Sequence, residues 1–330
     1  MSLSDDDTYA ATSLFSDTDY LMSLQLTILH KIVLNLIPKS LKTELEHCTS
    51  QIDDRDSRGR TCLFWAAARG DVKNLEILLD YQAKVDLCDE HGDTALHHAK
   101  NEDCIKLLLA AKLPVDVRNH SGATSLMLAC RLYNTPATAL ALLNYGADVN
   151  AVDKSHQTPL HGAADHGRRS RCIEPLVRNG ADVNTANSTS DSPLRLAILF
   201  NAHDGLRHML HSDKSSADFT TRNCFGHTFA HTIAHYADVE TVNILTKTVP
   251  LGLTADVTSR DAGGMTSLEH FEGRFDVDDQ LRTALYRLFQ VLRGRLSDVS
   301  QVSNVSEAQT LQNTDIEEDN DVFYDAFAAV

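Results

Sequence analysis

The residues best suited to chemistry in this 330-residue chain are its sixteen histidines, because a neutral imidazole can bind a metal ion or move a proton near neutral pH. Two groups of three stand out: His227, His231 and His235, and His203, His208 and His211. Zinc takes at least three protein ligands. One helix would present only His231 and His235 on a single face, and no third ligand or Cys-x-x-Cys pair is evident. We therefore expect no bound metal and no other cofactor.

The patterns of other chemistries are missing as well. Asp276, Asp278 and Asp279 lack the glycine and the terminal glutamate of a calcium loop, so we interpret them as the solvated start of a helix. The sequence has no glycine-rich phosphate loop, no G-x-S-x-G and no H-E-x-x-H. Its seven scattered cysteines are typical of reduced intracellular thiols rather than of a Cys–His dyad. We expect no catalytic residue and no enzymatic activity.

Acidic residues are concentrated at the two ends of the chain. Of the net charge of −16, residues 1–20 carry −5 and residues 297–330 carry −8, with no Lys or Arg in either segment. The body between them carries only −3 and offers no positive surface to a phosphate backbone, so we expect no direct binding of nucleic acid.

The start of the chain also lacks the basic and apolar segments of a secretory signal, and polar residues interrupt the apolar stretch 20–37. We expect no membrane association and an intracellular location, in the cytoplasm, the nucleus or both.

An internal repeat in the sequence predicts the turns and helices on which the histidines and cysteines lie. A turn residue, a glycine, a threonine and a leucine recur in register, in copies that begin at Asp56, Asp89, Asn119, Asp153, Asn187, Asn223 and Asp261. The spacings between copies are 33, 30, 34, 34, 36 and 38 residues. Asp or Asn holds a turn with its own side chain, Gly supplies a positive φ, and Thr caps the helix that follows. A repeat of this length indicates stacked helical units.

This pattern resembles the ankyrin repeat over about residues 53–290, and its looser copies are similar to those common in ankyrin-repeat proteins of filamentous fungi. The resemblance implies an all-α solenoid of helix–turn–helix units with short hairpin-like turns. The structural positions of the repeat are Gly59, Thr61, Gly92, Thr94, His97, Gly122, Thr124, Thr158, Pro159, His161, Gly226, Thr228, His231, Gly264 and Thr266. The histidines of this set are expected to bond neighbouring backbone.

The chain divides into four predicted segments. Residues 1–19 form a disordered acidic N-terminus, and residues 20–52 a cap of two short helices broken near Pro38, with Ser40 capping the second. Residues 53–296 form the repeat array, closed by a capping helix over 276–293. In the second copy the first helix is predicted to be truncated between Ala99 and Ile105. Residues 297–330 form a disordered acidic tail, which is either an interaction segment or a solubilising one.

The resemblance implies that partner proteins bind the concave surface, formed by the turn tips and the first helices. The residues that the repeat leaves free there are Leu132, Tyr133, Asp165, His166, Leu199, Phe200, Phe225, His235 and Tyr236. They predict an apolar groove with a polar notch over copies three to six; packing of Leu199 and Phe200 into the core is the alternative. Trp65, the single tryptophan, is either a core residue or an interaction hot spot.

The function predicted from these observations is a monomeric, non-enzymatic adaptor for unidentified proteins. A narrower version is a transcription coregulator that acts through a DNA-bound transcription factor. The alternative is a regulatory subunit or inhibitor that occupies an enzyme's active site. Deletion of residues 297–330 would abolish activation by a coregulator and leave a groove-based inhibitor intact.

Overall fold

The computed structural model describes residues 21, 23–167, 170–211, 217–248, 259–275 and 277–292. The expected acidic segments 1–19 and 297–330 lie outside the described residues, as does Asp276 at the expected start of the last helix. None of the helices in the described part combines the length and the apolar composition that crossing a bilayer requires.

The described ranges are helical and contain no β-strand, in agreement with the all-α prediction. Their α-helices are α1 (Ile28–Val33), α2 (Leu41–Cys48), α3 (Cys62–Arg69), α4 (Val72–Asp80), α5 (Glu102–Ala110), α6 (Ser125–Arg131), α7 (Pro136–Asn144), α8 (Pro159–Ala164), α9 (Ile173–Arg178), α10 (Pro193–Leu199), α11 (His203–Leu210), α12 (Phe229–Tyr236), α13 (Val239–Thr248), α14 (Ser267–Glu272) and α15 (Asp279–Leu292). Short 3-10 helices occur at Thr49–Gln51 and Ala95–His98. The second of these is the truncated first helix of copy two.

Each copy opens with a turn that its first residue holds. Asp56 Oδ1 accepts the backbone N–H groups of Arg58 and Arg60, both at 2.9 Å. The same pair of bonds recurs at Asp89, Asn119, Asp153, Asn187 and Asn223. The repeat glycines have φ between 75° and 82°: Gly59, Gly92, Gly122, Gly226 and Gly264. In the drifted copies His156 and Ser190 adopt φ of 57° and 60° instead.

A threonine after the turn begins the first helix in six copies, and Ser192 takes this position in copy five. The N-cap residues are Thr61, Thr94, Thr124, Thr158, Thr228 and Thr266. Pro159 occupies the first turn of α8, where its missing N–H has no intrahelical partner to lose. The turn and cap residues therefore fix where each first helix starts, as the repeat pattern predicts.

Three repeat histidines join successive copies. Their Nδ1 atoms accept the N–H groups of Thr94, Thr158 and Thr228 at 3.1, 3.0 and 3.2 Å. Their Nε2–H groups donate to the carbonyls of the following turns: His97 to Ala123, His161 to Asp191 and His231 to Met265, at 3.2, 3.1 and 3.0 Å. One ring nitrogen thus holds the helix start of its own copy and the other joins the next copy, in agreement with the expected backbone-bonding role.

The N-terminal helices start the array with the same contact. Thr27 caps α1, and His30 Nδ1 accepts the Thr27 N–H at 3.3 Å while its Nε2–H donates to the Arg60 carbonyl at 3.0 Å. The helix α1 is therefore built like the first helix of a further repeat. Ser40 occupies the N-cap position of α2, as predicted, although its side chain makes no capping hydrogen bond.

The array is divided into two compact units, one within Asp7–Ala217 and the other within Asp218–Val330. The sequence predicted one continuous array over 53–296. The division falls after Ala217, near the end of copy five, where the spacing has risen to 36 residues and the repeat pattern has drifted. The helices α1–α11 belong to the first unit and α12–α15 to the second.

Candidate protein-binding surface

Six of the nine candidate residues follow the first helices of copies three to five. Leu132 is the C-cap of α6 and Tyr133 comes next; both are half-buried. They pack against a core cluster formed by Ala123, Met127, Leu128 and Ala151. We call these six residues the first-helix row: Leu132, Tyr133, Asp165, His166, Leu199 and Phe200.

Tyr133 is also held by a polar network. Its hydroxyl donates to His98 Nδ1 at 2.5 Å, and His98 Nε2–H donates to Asp93 Oδ2 at 3.0 Å. Burial raises the pKa of Tyr133, so its hydroxyl stays protonated and remains a donor. Burial opposes ionisation of Asp93 too, but hydrogen bonds from His98 and Asn119 hold the Asp93 pKa below its usual range. Tyr133 is thus fixed in position as well as partly accessible.

The polar notch comes from copy four. Asp165 is the C-cap of α8 and is exposed, whereas His166 is half-buried. The His166 Nε2–H donates to the Arg131 carbonyl at 2.7 Å, which ties it to the end of α6. Although the Asp165 side chain is exposed, desolvation by the surrounding chain raises its pKa, against the opposing effects of Arg131 and His166. Asp165 is therefore an acceptor at the surface that nearby protein already partly desolvates.

Leu199 ends α10 and Phe200 is its C-cap; both are half-buried. Gly167, just after the notch, approaches Phe200 so closely that a Cβ atom on Gly167 would lie 2.5 Å from the Phe200 carbonyl oxygen. The sequence left two alternatives for Leu199 and Phe200, a place on the groove surface or a place in the core. Neither residue is fully exposed and neither is fully buried. Each packs on one side and leaves the other accessible.

The remaining three candidates belong to the second unit. Phe225 lies in the turn of copy six, where its carbonyl accepts the Ala262 N–H at 3.0 Å. His235 and Tyr236 end α12, with ring centroids 4.4 Å apart in an edge-to-face arrangement. All three are half-buried. His166 is bonded to the carbonyl just before Leu132, and Gly167 next to His166 approaches Phe200, whereas Phe225, His235 and Tyr236 belong to the second unit.

The largest exposed apolar side chains are elsewhere. Among the described residues they are Leu36, Leu140, Tyr145, Met265 and Phe275, with exposed fractions of 41%, 40%, 38%, 40% and 92%. None of the five was predicted. Leu140 and Tyr145 lie on a second helix, which the prediction left out, whereas Met265 lies in the turn of copy seven, beyond the copies over which the groove was predicted. Leu140 lies on α7 and Tyr145 is its C-cap, at the second helix of copy three.

Trp65 belongs to the core, and the hot-spot alternative is wrong. The side chain of Trp65 is 1% exposed, and its indole N–H donates to Asp56 Oδ2 at 3.1 Å. The same carboxylate oxygen accepts the Arg60 Nε–H at 3.1 Å, and the Arg60 guanidinium lies 4.2 Å from the indole centroid. The tryptophan therefore stabilises the first turn rather than meeting a partner.

A cluster that the sequence analysis did not foresee joins copies six and seven. His227 Nε2 and His270 Nε2 lie 3.4 and 2.6 Å from Asp261 Oδ2. Burial lowers the pKa of His227 to about 4, with the nearby His270 acting in the same direction. Burial disfavours ionised Asp261, but the hydrogen bond from His270 keeps the pKa of Asp261 below its usual range. The sequence grouped His227 with His231 and His235 and showed no third ligand for them; the structure instead brings His227 together with Asp261 and His270.

None of the seven cysteines forms a disulfide bond in the structure. Burial raises the pKa of Cys62 well above its ordinary range and that of Cys104 to about 12. A hydrogen bond with Cys172 and burial together raise the pKa of Cys130. A catalytic cysteine requires a lowered pKa, so these thiols are in the opposite state.

Comparison with known proteins agrees with this geometry. A family model for ankyrin repeats in three copies matches residues 24–119 and 99–187. The chain is an ankyrin-repeat protein. Ankyrin repeats form a non-catalytic module for protein–protein interaction.

Two solved structures resemble this ankyrin-repeat protein in fold. The ankyrin repeat domain of Bcl-3, described as a member of the IkappaB protein family, matches with a TM-score of 0.56 and 25% identity, over 67% of this chain and 98% of that one. The human ASB11 ankyrin repeat domain matches with the same TM-score and identity, over 69% of this chain and 98% of that one.

Similar sequences are parts of much longer proteins. The p105 subunit of nuclear factor NF-kappa-B from Gallus gallus is 37% identical over 139 residues, which cover 40% of this chain and 14% of that protein. Human neurogenic locus notch homolog protein 1 is 34% identical over 146 residues, or 43% of this chain and 6% of that protein. This ankyrin-repeat protein therefore spans a small part of the length of these relatives.

Proposed function

We propose that this ankyrin-repeat protein is a non-enzymatic adaptor that binds a partner protein at its concave surface, and that the first-helix row is the main contact. The first-helix row carries the proposal. Its apolar members Leu132, Tyr133 and Phe200 are ordered by packing yet accessible on one side. Side chains in this state lose little conformational entropy on binding, which is the usual condition of an interface hot spot. Asp165 supplies one exposed acceptor among them, which would fix the orientation of a partner.

The absence of enzymatic activity is part of the same proposal. Cys62, Cys104 and Cys130 are buried thiols with raised pKa values, which disfavour a thiolate nucleophile. The three repeat histidines use both ring nitrogens to bond backbone, so none of them is available as a general base.

A narrower form of the proposal is a transcription coregulator that works in the nucleus and the cytoplasm through a DNA-bound transcription factor. The p105 relative is by name a subunit of a nuclear factor, which supports a transcription factor as the partner class. The body of the chain carries little net charge, so contact with DNA would have to pass through that partner.

The second candidate is a regulatory subunit or inhibitor of an enzyme. The observation that favours it is that backbone hydrogen bonds link the turn tips of successive copies. The His120 N–H, for example, donates to the His91 carbonyl at 2.9 Å. These bonds hold the turn tips in fixed positions. Removing residues 297–330 separates the two candidates in a reporter assay. A coregulator loses activation, whereas an inhibitor that binds through its turns keeps its effect.

The proposal is tested by substituting Phe200→Glu together with Tyr236→Glu in the full chain. Each change places a charge at a half-buried apolar site, and we expect partner affinity to fall about 30-fold or more, the size of a hot-spot effect. Affinity purification with mass spectrometry from the native cell measures the loss. Circular dichroism must show unchanged helix content.

The matched control is Leu140→Glu together with Tyr145→Glu, which changes exposed apolar residues of the second helix in copy three. It should leave the partner list unaltered. If the control loses the partner and the Phe200 and Tyr236 variant retains it, the binding surface lies on the second helices and the proposed surface is wrong.

A further inference from the structure

Three potential metal ligands from two copies of the repeat converge in the second unit. His227 belongs to the turn of copy six, whereas Asp261 and His270 belong to copy seven. His227 Nε2 lies 3.4 Å from Asp261 Oδ2, and His270 Nε2 lies 2.6 Å from the same oxygen. One ligand atom from each residue lies within 4.8 Å of the other two. The exposed fractions of the His227, His270 and Asp261 side chains are 13%, 15% and 5%, so the two imidazoles are the more accessible members of the set.

Hydrogen bonds of the repeat turns hold the Asp261 carboxylate and the backbone of His227 in place. Asp261 Oδ1 accepts the Met265 N–H at 2.9 Å, which leaves Oδ2 directed at the two histidines. His227 is held through its backbone, because its N–H donates to Asn223 Oδ1 at 3.0 Å and its carbonyl accepts the Asn223 N–H at 3.1 Å. His270 lies on α14, whose N-cap Thr266 is fixed by a capping box with Glu269. The ligand positions therefore depend on the repeat turn and not on the imidazole contacts alone.

The neighbouring His231 is not part of the set. Its Nδ1 accepts the Thr228 N–H and its Nε2–H donates to the Met265 carbonyl, at 3.2 and 3.0 Å. The ring of His231 instead stacks on that of His227, with centroids 5.7 Å apart and planes inclined by 5°.

We propose that His227, Asp261 and His270 form a zinc-binding site between copies six and seven, with water as the fourth ligand. Two imidazole nitrogens and one carboxylate oxygen are typical of zinc, whereas magnesium and calcium prefer oxygen ligands alone. Zinc bonds of about 2.0–2.1 Å place tetrahedral ligand atoms about 3.3 Å apart. The His227–Asp261 separation of 3.4 Å is already close to this value. The His270–Asp261 hydrogen bond would have to open by less than about 1 Å, with loss of the proton between them.

The alternative is an ion pair or hydrogen bond between histidine and aspartate with no metal function. Isothermal titration of the untagged, chelator-treated full chain with zinc chloride distinguishes the two. The proposal predicts saturable binding of one zinc ion and no comparable heat from magnesium chloride. Substitution with cobalt(II) should give the intense visible absorption of a tetrahedral site. A wild-type chain with no saturable zinc binding would overturn the proposal.

Other copies of the repeat supply substitutions that the fold already tolerates at the same positions. Asn119, Asn187 and Asn223 correspond to Asp261, Gln157 corresponds to His227, and Leu128 and Leu196 correspond to His270. We therefore expect Asp261→Asn, His227→Gln and His270→Leu to fold, and each to weaken zinc binding at least about tenfold. Equal affinity in all three variants and the wild type would place the zinc on surface histidines and contradict the site.

The control variant is His208→Ala with His211→Ala, two histidines of the first unit. It should bind zinc as the wild type does. A spectroscopic measurement needs no variant: in nitrogen-15 spectra of histidine side chains, zinc should shift the ring signals of His227 and His270 first. Shifts that appear equally on all histidines would show nonspecific binding and overturn the proposal.

Discussion

Four of the histidines have a structural role, because both of their ring nitrogens form hydrogen bonds with backbone groups. His30, His97, His161 and His231 each accept an N–H from the N-cap threonine of their own helix and donate to a carbonyl of the next turn. Burial lowers the pKa of all four. The neutral ring is therefore part of the fold, and protonation must oppose folding.

This coupling predicts acid destabilisation through His161, whose pKa burial lowers to about 4. In the unfolded chain the pKa is about 6.5, so the unfolded state binds the extra proton first and stability is lost as pH falls from about 6.5 towards 4. Between about pH 7.5 and pH 5 the free energy of unfolding of the wild type should fall by about 2 kcal/mol more than that of His161→Met. Urea unfolding at the two pH values measures this difference.

Methionine is the appropriate replacement because Met127 occupies the same position in copy three, where its sulfur lies 3.5 Å from the Thr124 nitrogen. At about pH 7.5 the variant should be less stable by about 1–3 kcal/mol, since the Asp191 carbonyl loses its buried donor. The exposed His47→Ala serves as control and should leave the pH slope unchanged. A slope unchanged in the His161 variant would contradict the linkage.

Sequence reasoning at this scale succeeded where the repeat pattern is strong. The roles of His97, His161 and His231 follow from their place after a capping threonine. His30 was missed because its segment lacks the preceding turn. The cluster of His227, Asp261 and His270 was missed because it depends on the register between copies, which periodicity within one copy does not reveal. The bond between Asn119 Nδ2 and Asp93 Oδ1, at 2.9 Å, follows the same register.

At the scale of elements, the turns stack on one another through their backbones. The Glu90 N–H donates to the Arg58 carbonyl at 3.0 Å, and the Lys154 N–H donates to the Ser121 carbonyl at the same distance. The turn glycines Gly59, Gly92, Gly122 and Gly226 face the turn that follows. A Cβ atom on Gly122, for example, would lie 3.1 Å from the Lys154 nitrogen. Glycine is therefore favoured at this position for two reasons: the backbone has a positive φ, and the backbone of the next turn lies too close for a Cβ atom.

The two effects are separated by Gly92→Ala and Gly264→Ala. Both glycines have similar φ, 80° and 81°, but a Cβ atom on Gly92 would meet the His120 backbone nitrogen at 2.6 Å, whereas no described atom lies within 4 Å of one on Gly264. We expect Gly264→Ala to cost about 1–2 kcal/mol through backbone strain alone, and Gly92→Ala at least about 1 kcal/mol more. Thermal and urea unfolding compare them. If both variants lose the same free energy of unfolding, the turn that follows Gly92 moves away from the added Cβ atom without strain, and the predicted difference is wrong.

The positions of the helices were largely predictable, because turn, glycine and cap each specify a backbone conformation. The truncation of the first helix in copy two, now the 3-10 helix Ala95–His98, followed from three missing residues. The degree of burial at the ends of α6 and α10 was not predictable. It depends on how far neighbouring helices extend, and Gly167 brings the chain against Phe200 in a way that no single copy specifies.

At the scale of the whole molecule, the division into two units separates the predicted groove. The first-helix row, with Leu132, Tyr133 and Asp165 among its members, lies in one unit, and Phe225 and Tyr236 lie in the other. The sequence favoured one continuous array because all seven openings are in register. Register alone does not specify how tightly successive copies pack. The proposed adaptor function therefore depends first on the row within Asp7–Ala217.

The most direct test of the proposed surface is site-specific photocrosslinking in the native cell. A photoreactive amino acid replaces Asp165, the exposed member of the first-helix row, or Arg178, an exposed residue of α9 in the same copy. If partners bind the row, the probe at position 165 forms a defined crosslink to one protein, and the probe at position 178 does not. The same crosslink from position 178, with none from position 165, would contradict binding at the first-helix row.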